Sequence, residues 1–265
     1  MNKERYYIDG PGEVLIVDSA FSFTTPKNDL IIAVVTAKTA SFSDDVSMES
    51  VTGGRSLAPR RKFVTGRTTT FELEDCEIDF RYKAMQAGAS IVTEASTAWS
   101  FGEDAKYQVP ADTAYTVTLD ETPIAGTLVV IDGDGTVIAA GTETPGAGEY
   151  VLAGAVLTFN VAQAGLEFTA IFQFATGATT QTVSVLNDAM PTTVKLYHKQ
   201  PVFDGDNNVL GHQYIEIYKA QPDGTLSEAY TEKAAAVSKL TFEVLDSGRS
   251  DKKLVDHKFV PVAAA

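Results

Sequence analysis

Alternation of polar and apolar side chains, the period of a half-buried strand, dominates this chain. Thr69-Thr70-Phe71-Glu72-Leu73-Glu74 alternates, and Cys76, Ile78 and Phe80 resume the alternation out of phase, which predicts a β-bulge at Glu74-Asp75. Cys76 is expected there as a small buried strand hydrophobe. Thr193 to His198 and His212 to Tyr218 flank the turn-rich Asp204-Gly205-Asp206-Asn207-Asn208 and predict a long hairpin. Leu240, Phe242 and Val244 mark a strand, Ser247-Gly248 breaks it, and Lys253-Leu254-Val255 begins a final edge strand. Helical period is confined to Arg81 to Ala87, with Gly88 placed to end it. Ser227 to Ala236 reads as an extended lead into the next strand, although its residues also suit a helix. From Ser41 to Gly66 neither period holds, so the stretch reads as a long loop or arm, a kind of segment that usually carries function or is ordered by a partner.

The middle of the chain is patterned more regularly. Tyr115, Val117 and Leu119 alternate, and Leu128 to Ile131 leads through Asp132-Gly133-Asp134-Gly135 into Val137 to Ala140, a hairpin signal. Tyr150 to Leu152, Leu157 to Phe159 and Phe168 to Phe174 follow. Short strands with turns at this spacing predict a small sandwich of immunoglobulin-like size, without the Cys–Trp–Cys hallmark of antibody domains. Trp99, the sole tryptophan, lies outside that module and is expected to anchor a core.

Charge marks the same region. Between Lys106 and Lys195 there is no lysine, arginine or histidine, but there are nine carboxylates: Asp112, Asp120, Glu121, Asp132, Asp134, Glu143, Glu149, Glu167 and Asp188. Residues 1–106, 107–194 and 195–265 carry −4, −9 and −1 of the formal −14. The expected organisation is therefore one β-rich domain, 1–106 with 195–265, interrupted by an acidic inserted β-domain, 107–194. So acidic a chain repels nucleic acid and anionic membranes rather than gripping them, which still permits DNA to pass without being held. The longest apolar run, Leu30 to Val35, is far below the roughly 20 residues of a membrane-spanning helix. The first residues, Met1 to Tyr7, lack signal-peptide character, which predicts a soluble, cytoplasmically made protein. Cys76 is alone, so no intrachain disulfide or thiolate metal site is expected.

Catalytic chemistry finds little footing. Asp132 and Asp204 begin ligand-like spacings, but Val137 and Val209 stand where a calcium loop needs its glycine, so both read as turns. Gly133-Asp134-Gly135 lacks the third glycine of a dinucleotide fingerprint, no P-loop occurs, and Gly54-Arg55-Ser56-Leu57-Ala58 ends in alanine where a nucleophile elbow needs glycine. His198 and His212 could share one hairpin, which leaves a paired site conceivable beside the plainer reading as strand residues. No enzyme, metal or cofactor is expected. Arg55, Arg60, Arg61, Lys62 and Arg67 form the one basic cluster, inside the expected arm. On an acidic protein such an arm suits contact with a neighbouring copy, and a solvated loop is the alternative.

Two stretches resemble virion proteins of tailed bacteriophages. Val51-Thr52-Gly53-Gly54, Thr65-Gly66-Arg67 through Leu73, and Ala84-Met85-Gln86-Ala87-Gly88 are similar to the loop, strand and short helix of phage tail tube (major tail) proteins. Tyr115-Thr116-Val117, Pro145 to Tyr150, Leu157-Thr158-Phe159 and Ala162 to Gly165 resemble a β-module recurrent in phage structural proteins. The resemblance implies a mainly β fold: a β-sandwich or barrel subunit with a short helix, interrupted by a small β-sandwich that decorates the outside. It also implies assembly into hexameric rings that stack as a tail tube with an acidic lumen for DNA ejection. Partners would be further copies, other tail proteins and passing DNA, with no membrane anchor, and the Ser41–Gly66 arm would contact adjacent subunits. A capsid decoration or baseplate protein, or a carbohydrate-binding surface module, are the competing expectations.

Overall fold

The computed structural model describes all residues except 1–6, 9, 24–30, 53–58, 78, 113, 230–236 and 263–265. The chain is mainly β and folds as two compact units, one from residues 1–91 and 183–265, the other from Val92–Thr182. The first unit opens with β1 (Tyr7–Ile8), β2 (Glu13–Asp18), β3 (Ile31–Val34), β4 (Ala37–Thr52), β5 (Pro59–Asp75) and α1 (Phe80–Ala87). The second holds β6 (Val92–Thr93), β7 (Thr97–Ser100), β8 (Lys106–Gln108), β9 (Thr116–Thr118), β10 (Val129–Asp132), β11 (Val137–Ala140), β12 (Glu149–Ala153), β13 (Val156–Phe159), β14 (Glu167–Ala175) and β15 (Gln181–Thr182). The first unit resumes with β16 (Val194–Phe203), β17 (Val209–Ala229), β18 (Val237–Val244) and β19 (Val255–Pro261).

Its sheet runs β3-β2-β16-β17-β18-β5-β4, with β1 on β16 and β19 on β17. Alternation in β16 puts Val194, Leu196, His198, Gln200 and Val202 inward; Leu196 and His198 meet apolar neighbours across the register, while Gln200 faces Gln213 and donates to its side-chain oxygen at 3.3 Å. Val34, Val14, His198 and Ile215 form one row, and Ile32, Ile16, Leu196 and Ile217 the next. Farther along, Phe242, Phe71 and Phe42 align. Tyr82 and Met85 of α1 join the same core. Asp79 caps the helix start by accepting from the Arg81 N–H, and Gly88 ends it at φ 61°. A side chain at Gly88 would also meet the Met190 carbonyl oxygen at 1.9 Å, so glycine is required twice over.

The expected slip at Glu74-Asp75 is corrected by the structure. Phe71, Leu73 and Asp75 are all buried, so β5 keeps phase to its end, and the bulge lies on β4 at Lys38. Asp75 can occupy an inward position because Tyr82 Oη and Thr36 Oγ1 each donate to its carboxylate at 2.7 Å. Cys76 is not a buried strand residue: it is exposed in the bend beyond β5, its thiol 3.2 Å from the Thr36 carbonyl. Ile78 lies outside the described residues. The arm is not a loop either, since β4 and β5 pair along nearly their whole length. Ser227–Ala229 is extended as the end of β17, and 230–236 lie outside the described residues.

The second unit orders its strands β7-β14-β10-β11-β12-β13-β9, with β8 on β14, β6 paired to β15, and β11 and β12 parallel. Val109, Leu119, Val130, Leu157, Phe159, Phe168 and Phe172 are among its core. Its limits differ from the 107–194 expected from charge, because β7 and β8 hydrogen-bond to β14 while β16 belongs to the other sheet. Charge reports surface composition, whereas strand pairing sets the boundary. Trp99 consequently falls inside this unit, and it is no core anchor, being 65% exposed on β7.

Two consequences are measurable. Tyr82→Phe removes one donor from a buried carboxylate and is expected to cost roughly 1.5–3 kcal/mol in urea unfolding. His198 Nε2 donates to the Pro11 carbonyl at 2.6 Å, leaving Nδ1 buried without a partner, and burial pushes the imidazole pKa down. The folded protein thus holds His198 neutral while the unfolded chain protonates it near pH ~6.5. Stability from this residue is full above that pH and is lost as pH falls through it. Between pH 7 and 5 the melting temperature of His198→Gln should fall less steeply than that of the unsubstituted protein.

Candidate assembly surface

Beyond Thr70 the β5 strand has lost β18 as a neighbour and keeps only β4. The remaining stretch of about ten residues per strand projects roughly 30 Å as a two-stranded ribbon. Two further register shifts, at Ser47/Met48 and Val51/Thr52, leave Thr65 and Arg60 unopposed and re-aim the tip. Register places Val46, Met48 and Val64 on one face, and Val51 and Phe63 on the other. All five are exposed, Met48 at 58% and Val64 at 60%. An isolated two-stranded ribbon is marginal in water, so apolar side chains on both of its faces equip it to lie between other surfaces.

A clamp fixes the ribbon base. Arg67 holds Asp44 through two hydrogen bonds, Nε to Oδ1 at 2.8 Å and Nη2 to Oδ2, and Thr69 Oγ1 donates to Asp44 Oδ1 at 2.8 Å. The Arg67 bonds, followed by that of Thr69, pull the Asp44 carboxyl down to about 2. Phe42 packs edge-on to His257 alongside, ring centroids 5.0 Å apart. Of the expected basic arm residues, Arg67 therefore braces the base. Arg60, Arg61 and Lys62 lie exposed near the tip, Arg61 and Lys62 on opposite faces, and Arg55 lies outside the described residues.

The sheet leaves further surface open. In the strand order β3 and β4 are terminal, so among the described residues their outer edges carry unpaired backbone groups. The sheet face opposite the core carries both signs of charge. Lys38, Lys199, Lys239 and Lys258 pair with Glu74, Glu13, Glu72 and Glu216, and Lys195 donates to the Phe21 carbonyl at 2.9 Å. Committed to these partners, the lysines form no cluster that would grip phosphates.

The other sequence candidates are not brought together. His198 faces the core, whereas His212 shares the opposite face with Tyr214 and Glu216. Asp132 Oδ1 accepts from the Asp134 and Thr136 N–H groups, and Asp204 Oδ1 from those of Asp206 and Asn208, so each carboxylate closes its own turn. What sequence reasoning missed is the apolar set Val46, Met48, Val51, Phe63 and Val64. Val51-Thr52 and Val64-Thr65 on either side of Gly53-Gly54 are the short β-branched traces of the hairpin, too few and too widely spaced to give it a period.

A model of the YomU/Tube protein family matches residues 15–255. No curated protein matches the chain. Replacing Arg67 with leucine should let the Asp44 carboxyl rise from about 2 toward its ordinary 3.8, which a carboxyl-carbon NMR titration would read.

Proposed function

The chain belongs to the YomU/Tube protein family, and on that premise we propose that it is a structural subunit of a phage tail tube, a non-enzymatic virion protein. Copies assemble into stacked hexameric rings that enclose a conduit for DNA during ejection. The observation that carries this reading is the ribbon formed by β4 and β5, apolar on both faces and with no strand partner but each other beyond Thr70. In the ring each ribbon lies against adjacent copies, with Arg61 and Lys62 steering it toward their acidic surfaces. Strands at the β3 and β4 edges continue from copy to copy, and closing the sheets into one barrel removes the open edges. Other tail proteins meet the tube at its ends. DNA passes without sticking because the open-face lysines are already occupied by carboxylates and a backbone carbonyl. The second unit, of immunoglobulin-like size, decorates the assembly.

Negative-stain microscopy of the purified protein, alone and with its sister tail proteins, tests this. Six-fold rings or tubes are expected. Met48→Asp with Val64→Asp should abolish them while circular dichroism stays unchanged, since neither residue is in the core. Monomers under every condition would overturn the reading, and rings indifferent to the double substitution would remove the ribbon from the interface.

A further inference from the structure

The second unit leaves one sheet face bare, and that face is apolar. In β14 the residues Phe168, Ala170 and Phe172 point into the core, so Thr169, Ile171 and Gln173 point the other way. The register puts Trp99 opposite Gln173, Val129 opposite Ile171, and Ile131 between Thr169 and Val137. Phe101 follows Ser100 in extended backbone, which returns its side chain to the face of Trp99 and level with Ile171. Trp99 is 65% and Phe101 66% exposed, and Val129, Val137 and Ile171 are exposed as well. A contiguous stripe of this kind is on the order of the few hundred Å² that marks an interaction surface.

Charge decides what can cover it. Residues 92–182 carry eleven carboxylates and a single base, Lys106, for a net −10. Lys106 stands on the same face opposite Thr169 and is paired with Glu103 at 2.6 Å, and its charge is already counted in that net −10. Glu167 stands on the bare face beside Thr169 and Gln108, lining a cleft of about 510 Å³ at one end of the stripe. Glu103 and Asp104 follow Phe101 after Gly102. A like-charged second copy of this unit, a nucleic acid or an anionic lipid surface would all be repelled. Exposed indole and phenyl faces on so acidic a unit suit arginine, whose guanidinium can stack on a ring while other guanidinia of the same partner meet carboxylates.

We propose that the bare face of β7, β14, β10 and β11 is a docking surface for a protein partner that presents arginine side chains around an apolar centre. This holds independently of how the first unit assembles.

Trp99 is the only tryptophan, so its emission reports the site directly in the full chain. The probes are a peptide of alternating arginine and leucine, its glutamate–leucine counterpart, and dextran as a neutral glycan. The arginine peptide should shift Trp99 emission to the blue, saturably and more weakly as salt rises. Glu167→Lys, a change at an exposed position, should weaken that binding roughly tenfold. Ile171→Asp should abolish it, with circular dichroism confirming the fold. No shift, an equal shift with the glutamate peptide, a shift with dextran alone, or indifference to Glu167→Lys would each overturn the proposal.

Discussion

Backbone pairing along β17 is the interaction on which the first unit depends. Over its 21 residues this strand pairs with β16 on one side and, in succession, β19 and β18 on the other. Gly211 to Ile217 serves β19 and Ala220 to Ala229 serves β18, so one strand ties the C-terminal segment, the central hairpin and the β4–β5 pair into one sheet. Because each antiparallel strand satisfies its backbone groups only through neighbours, this arrangement leaves β3 and β4 at the ends of the strand order, β1 and β19 paired on one side alone, and β5 beyond Thr70 paired with β4 alone. The edges and the ribbon are thus two results of the same pairing order.

Burial follows pairing. Rows set by the β16 register place aliphatic side chains in the same core that Tyr82 and Met85 of α1 join, and Asp75 enters it with partners to receive it. Asp75 is buried because Tyr82 and Thr36 donate to it, and burial together with Asp75 holds the Tyr82 phenol well above its ordinary pKa. His198 Nδ1, like Ser238 Oγ, is buried without a partner, and because the imidazole titrates it is the acid-sensitive one of the two.

How far the sequence was legible follows from which elements have two unlike faces. The central hairpin and α1 with its glycine stop were readable because one side of each meets the core and the other meets water, whereas the final strand was readable from Leu254 and Val255 at its start, which pack against the core. The β4–β5 ribbon was not, since both of its sides are exposed and no period survives. Asp75 broke the pattern at the point where tertiary hydrogen bonds overrode polarity, and that displaced Cys76 from its expected place. The basic residues near the ribbon tip were visible as charge alone, while the apolar residues beside them needed the pairing register to be recognised. Trp99 misled for a related reason: aromatic residues usually sit inside, and only β7's position on β14 shows this one turned outward.

The stem of the second unit has a further meaning. Its first and last strands, β6 and β15, pair Thr93 with Gln181 and Val92 with Thr182, so the chain leaves and re-enters the first unit at neighbouring points. A graft with adjacent ends adds no loop-closure burden to its host, whatever its length. The host sheet is therefore indifferent to what is spliced in at that junction, and the first unit could carry a different passenger, or none, with its own sheet intact.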